Sequence, residues 1–99
     1  MSLQEEFEAA VKRISEAGDK LKGLPNEKAL EIYSLFKQGS IGDVNIERPG
    51  IFDQKGRAKW DAWSARTGTS QEEAQQQYIE LANVLLEWAS SYSLVVEDS

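Results

Sequence analysis

Residues 33–63 read YSLFKQGSIGDVNIERPGIFDQKGRAKWDAW, and the fold turns on how that stretch is parsed. It opens on a helical pattern carrying Tyr33, Phe36 and Lys37, passes through a Gly/Asp/Pro-rich loop from Gly39 to Gly56, and re-enters a helix carrying Lys59, Trp60 and Trp63. Loops longer than roughly 12 to 15 residues are uncommon unless they are functional or disordered. This one holds Ile41, Val44, Ile46, Ile51 and Phe52, too many apolar side chains for a solvated linker. The expectation is a loop that packs, with its two ends meeting.

Outward from the loop, the rest of the chain is helical in pattern. Leu3, Phe7, Ala10, Val11, Ile14 and Ala17 recur at helical spacing with glutamates turned outward, which predicts a first helix over 3–17 stopped by Gly18. A polar link from Asp19 to Pro25 follows, and Asn26 is the expected N-cap of a second helix over 26–39. Leu30, Tyr33 and Phe36 are read as one face of it, and Lys37 projects with Tyr33 from adjacent turns. No strand is expected in the loop. Gln54 to Thr67 reads as the third helix. Thr69-Ser70-Gln71-Glu72-Glu73 supplies two overlapping capping boxes for a fourth, whose apolar period runs from Ala74 through Tyr92. Residues 1–92 are taken as the domain, with 93–99 as a frayed or loosely packed tail. Phe7, Val11, Ile14, Leu30, Tyr78, Ile79, Ala82 and Leu85 are the expected core.

Composition narrows the function. The chain has 99 residues, 40% of them apolar and 28% charged, which is the profile of one ordinary soluble domain. There is no cysteine, no apolar run of signal-peptide length near the start and none long enough to span a membrane, so a reducing cytoplasm is the expected setting. All 11 basic residues lie between Lys12 and Arg66, whereas residues 67–99 hold six acids and no base and so carry the whole net charge of −6. A broad basic face for nucleic acid is therefore not expected. A local cluster of bases in the first two-thirds could still hold a small anion.

The absence of histidine as well as cysteine excludes thiol nucleophiles, Ser-His pairs and His or Cys metal sites. A carboxylate-only mechanism stays formally open, but no apolar setting singles out a pair of acids. Binding is the expected activity, with no cofactor. Tyr33, Phe36, Lys37, Arg57, Lys59 and Tyr78 combine donors suited to phosphate with aromatic faces suited to a base. Each has a plainer reading. Tyr33 and Tyr78 can be core-edge residues, Lys37 and Lys59 solvated lysines, Trp60 and Trp63 core.

YxxFKQGSIGDVNIERPG followed by GRAKWDAW resembles the signature of the acyl-CoA-binding protein family, and the likeness runs from about Phe7 to about Leu86. The resemblance implies an all-α, four-helix, up-down-down-up bundle that carries long-chain acyl-CoA esters. It implies that Tyr33, Lys37 and Lys59 grip the 3′-phosphate of the CoA head. The family's adenine-stacking aromatic, usually tyrosine, falls on Phe36, which keeps the stacking face without the hydroxyl. A further family tyrosine matches Tyr78, and Arg57 keeps the charge of a lysine-rich position. Leu30 and Ile51 are candidates to line the acyl channel, and a methionine common in the family is Ala29 here. The link between the first two helices is a few residues longer than the family pattern.

The reading is thus a monomeric cytoplasmic carrier of medium- to long-chain acyl-CoA, delivering it to acyl-CoA-using enzymes, with no nucleic-acid partner and no stable membrane insertion. The rivals are a helical protein-interaction module docking through its acidic C-terminal helix and, third, an acyl-CoA hydrolase or isomerase.

Overall fold

The computed structural model describes residues 1–98, with side chains through Ser91. It contains four helices: α1 (Leu3–Glu16), α2 (Asn26–Ser40), α3 (Gln54–Ser64) and α4 (Gln71–Asp98), with a 3-10 turn at Gly18–Leu21. Among the described residues there is no strand.

Local chemistry sets most of the ends. Ser2 caps α1 in a reciprocal box: Glu5 N–H donates to Ser2 Oγ and Ser2 N–H to Glu5 Oε1, each at 3.2 Å. At α2 the expected cap Asn26 is instead the first helical residue. Pro25 holds the cap position with φ −57° and ψ 143° and makes no side-chain bond. Its ring fixes φ, and its carbonyl accepts from Lys28 and Ala29 N–H at 3.0 and 3.1 Å. Asp53 caps α3 by accepting from Gly56 N–H at 2.9 Å. Of the two overlapping boxes before α4, Ser70 supplies the cap, accepting from Glu73 N–H at 3.1 Å.

Two boundaries move. α3 ends at Ser64 rather than Thr67, because Arg66 and Thr67 N–H bond three residues back to Trp63 and Ser64 and the chain tightens toward Gly68. α4 continues past Tyr92 to Asp98, with no Gly or Pro in that stretch to break it. Ser99 and the side chains of 92–98 lie outside the described residues, so the packing expected of the tail does too.

The core forms where α1, α2 and α4 meet. Phe7, Ala10, Leu35, Ala74, Tyr78 and Ala82 are buried together, with Val11, Ile14, Ile32, Phe36, Ile79 and Leu81 packed around them. Phe7 meets Tyr78 edge-on, ring centroids 5.2 Å apart at 80°, and Phe36 closes the triangle at 6.5 and 6.4 Å. The elements approach closely because small residues sit between them. A Cβ at Gly39 would lie 3.1 Å from both Phe7 Cζ and Gln75 Cγ. Leu85, expected in the core, is 4% exposed.

Leu30 is a correction: it lines a cleft between α2 and α3 instead of joining this core. The reason is helical geometry. At about 100° per residue, steps of three drift backward, so Leu30 and Phe36 stand about a third of a turn apart and cannot share one face.

Hydrogen bonds give the directions. Gln75 Nε2 donates to Gln4 Oε1 at 2.9 Å and to Gly39 O at 3.0 Å, placing the starts of α1 and α4 beside the end of α2. α2 is thus antiparallel to both. The loop from Ile41 to Asp53 then runs back along α3. Trp63 Nε1 donates to Gly42 O at 2.8 Å, Trp60 Nε1 to Ile46 O at 2.8 Å, and Arg57 Nε to Pro49 O at 3.1 Å. These donors follow one another at steps of three along α3 and descend as the loop ascends. The loop therefore returns the chain, and α3 lies parallel to α2. This is the up-down-down-up bundle, and its long loop is the return that two successive parallel helices require.

Candidate functional site

The site is built on α2, from the face that looks toward α1 and α4 to the neighbouring face that looks toward α3. Tyr33 and Phe36 are half-buried, one turn apart, and with Val11, Ile14, Ser15, Ile32 and Tyr78 they line an apolar cleft of about 250 Å³. Tyr78 is its floor, 2% exposed. Burial pushes the Tyr78 hydroxyl up to about 12, so the phenol stays neutral and able to donate at any physiological pH.

Cations stand at the edge of this cleft. Lys59 Nζ lies 5.2 Å from the centre of the Tyr33 ring, and Lys37 Nζ lies 5.0 Å from that of Trp63. At those distances the ring faces attract the ammonium groups. Among the described residues neither lysine pairs with a carboxylate.

The arginines nearby are engaged instead. Arg48 forms a two-pronged pair with Asp61, Nε to Oδ1 at 2.9 Å and Nη2 to Oδ2 at 2.8 Å, which holds the Asp61 carboxyl below its usual range. Arg57 reaches Pro49 O, and Arg66 Nε donates to Ser34 Oγ at 3.0 Å. The arginines fix the loop and α3, while Lys37 and Lys59 have no carboxylate partner among the described residues.

Below them a polar node fastens the loop. Gln38, fully buried, donates Nε2 to Asp43 Oδ1 at 2.9 Å and to Thr69 O at 2.7 Å, while Gly68 N–H donates to Asp43 Oδ1 at 2.9 Å. Those bonds, Gly68 first and then Gln38, lower the Asp43 pKa. Gly42, at φ 98°, makes the left-handed turn that lets α2 end there.

The structure thus brings together Tyr33, Phe36, Lys37, Lys59 and Tyr78. Arg57 is on the same helix as Lys59, with its Nε committed to the loop. Leu30 lies in a separate cleft of about 360 Å³ with Ala62, Ala65 and Arg66, and Ile51 is 63% exposed. Sequence reasoning passed over Val11, Ile14 and Ser15 as cleft wall. Their spacing marks one side of α1, but the same spacing also reads as core. It also passed over Trp63 as the seat of Lys37, for which no local signal exists.

The comparisons with known proteins bear on the family and the fold. Residues 4–82 match the family model described as acyl CoA binding protein. Acyl-CoA-binding domain-containing protein 1 of Oryza sativa subsp. japonica is 48% identical over 95 residues, 92% of this chain and 97% of its own length. Acyl-CoA-binding domain-containing protein 3 of the same plant is 48% identical over 99 residues, and there the match spans 59% of the relative's length. Among solved structures, Oryza sativa acyl-CoA-binding protein 2 superposes with a TM-score of 0.81 at 46% identity, covering 91% of this chain and 97% of that one. The protein from Moniliophthora perniciosa superposes at 0.78 and 38% identity, over 100% and 98%. Match and geometry run the length of the bundle, and the chain belongs to the acyl-CoA-binding protein family.

Proposed function

We propose that this protein binds medium- to long-chain acyl-CoA esters reversibly and acts as an intracellular acyl-CoA pool former and carrier. One observation carries the reading: an apolar, aromatic-walled cleft shares Tyr33 with an unpaired lysine, so a flat ring and a phosphate can be held side by side. Tyr33, Lys37 and Lys59 hold the 3′-phosphate, with Arg57 adding charge. Phe36 stacks on the adenine, and Tyr78 donates from the cleft floor. Leu30 and Ile51 border the acyl tail. The ring faces of Trp63 and Tyr33 hold the two ammonium groups in position for the anion.

In this reading residues 1–92 are the ligand-binding domain, with 93–99 as an extension. The protein works as a monomer in the cytoplasm and hands its ligand to acyl-CoA-using enzymes, doing no chemistry itself. The names of the relatives, all acyl-CoA-binding, support binding of the ester over docking of a protein on the acidic face of α4.

A chain-length series tests it. Each buried methylene contributes about 0.8 kcal/mol, so two added carbons tighten binding by roughly tenfold or a little more. Affinity should rise steeply through medium lengths and level off in the long-chain range, with free fatty acid bound poorly throughout. Calorimetry at fixed salt that shows equal affinity from free CoA upward would leave a CoA or nucleotide binder, not a carrier.

A further inference from the structure

We propose that Arg66 reads the far end of the acyl chain, so that this protein accepts long-chain esters carrying a hydroxyl on the ω-carbon. The inference rests on the carrier reading and deepens it, and its test separates the two.

The cleft between α2 and α3, of about 360 Å³, takes apolar walls from Leu30, Ala62 and Ala65. It opens one turn from the lysine site on both helices. Leu30 precedes Tyr33 by three residues, and Ala62 follows Lys59 by three. A ligand whose phosphate lies at Tyr33 and Lys59 therefore has this cleft beside it. Clefts of a few hundred Å³ are the size that small ligands occupy.

Arg66 gives the cleft a polar end. It is half-buried, and its Nε donates to Ser34 Oγ at 3.0 Å. Ser34 is 1% exposed, and its hydroxyl in turn donates to Glu31 O at 2.7 Å, which fastens the guanidinium to the backbone of α2. The two terminal nitrogens of Arg66 have no hydrogen-bond or carboxylate partner among the described residues. An arginine held by one nitrogen keeps the rest of its planar fork in a fixed place.

The end group follows from those donors. A methyl group pressed against them would strip them of water and give no bond in return. A hydroxyl accepts from them. It can also donate, and Glu27, exposed on the same cleft and without a cation partner among the described residues, offers the acceptor. An ω-carboxylate only accepts, and it meets Glu27 as a like charge, whereas Lys28 offsets Glu31 at 3.2 Å.

The test is calorimetry at fixed salt with matched acyl-CoAs, unsubstituted and ω-hydroxy, from lauroyl to stearoyl. At the length that reaches Arg66, wild type should bind the hydroxy ester at least as tightly as the plain one. Arg66→Leu should weaken that hydroxy ester by about tenfold or more and tighten the plain one. Arg66→Lys keeps the charge but cannot hold Ser34 and a ligand in the same fork, so it should fall between. It also decides the matter should Arg66→Leu not fold. Ala62→Leu narrows the cleft and should weaken long esters far more than octanoyl-CoA. A penalty against the hydroxy ester at every length overturns the inference, as does a ratio between the two esters that the Arg66 variants leave alone. So do long esters indifferent to Ala62→Leu, and an ω-carboxy ester bound more tightly than the hydroxy one. In each of those cases, rising affinity for the plain esters leaves the carrier reading standing. Wild type that binds no ester at any length removes the carrier reading and this inference with it.

Discussion

Two halves of this bundle meet along α2 and are held by different forces. On one side Phe7, Phe36, Tyr78 and a set of alanines pack α1 and α4 against α2 through apolar contact. On the other side the loop and α3 are tied by side-chain donors reaching backbone carbonyls: Trp63 to Gly42, Trp60 to Ile46, Arg57 to Pro49. The apolar side is non-directional and tolerates small shifts. The polar side is directional and fixes the positions of Lys37 and Lys59 to the geometry of hydrogen bonds. A ligand site that must place charges within a hydrogen-bond length is better built on the second kind of contact, with the first supplying the stability.

The sharpest way to break the comparison is to remove apolar contact. Phe7 is 3% exposed and touches both other rings, so Phe7→Ala should cost about 3–5 kcal/mol of folding stability, read from denaturant unfolding. A loss below about 1 kcal/mol would mean that the aromatic junction does not dominate stability, and the contrast between the halves would fail.

Next comes the charge placed by the polar side. Lys37→Ala and Lys59→Ala should each weaken acyl-CoA binding by about 1.5–3 kcal/mol while leaving stability near wild type. Against the 3′-dephosphorylated ligand both should matter far less. Wild type that binds the two ligands equally would rule out the phosphate assignment.

Much of the first half was legible in the sequence, and less of the second. Phe7, Tyr78 and Ala82 repeat at helical spacing, and burial follows directly from that period. The motif resemblance named Tyr33, Phe36, Lys37, Lys59 and Tyr78, of which Tyr33, Phe36 and Tyr78 line one cleft and the lysines sit on aromatic rings. Leu30 was misplaced because steps of three were read as one face. The pairing of Trp63 with Lys37 and the Gln38–Asp43–Thr69 node join residues far apart in the chain, and no local periodicity encodes them. Pro25 took the cap expected of Asn26 because a fixed φ competes well with a side-chain bond.

Trp63→Phe sharpens the contrast within the polar half. The ring remains, but Gly42 O loses its donor, which should cost about 1–3 kcal/mol. Phenyl is a weaker seat for the Lys37 ammonium than indole, so acyl-CoA affinity should fall with stability, whereas Phe7→Ala should lower stability alone among molecules that stay folded. Amide exchange should show the loop from Ile41 to Asp53 opening before the helices. Uniform exchange across loop and helices would make the loop part of one cooperative unit.

The smallest effect should come from Arg48 and Asp61, although their two-pronged pair looks like the strongest bond in the loop. Both side chains are about half exposed, and exposed pairs lose most of their attraction to water and salt. Arg48 holds the Asp61 pKa below its ordinary carboxylate value. The sign follows: the pair's contribution is present above the unfolded-state pKa of about 4 and is lost as pH falls through the lower folded value. At neutral pH and physiological salt, Asp61→Asn should shift the urea midpoint too little to resolve. At low salt a small loss should emerge near neutrality and vanish in acid, where wild-type Asp61 is protonated as well. A large loss at neutral pH and high salt would mean that this pair, and not the tryptophan and Arg57 donors, anchors the loop to α3.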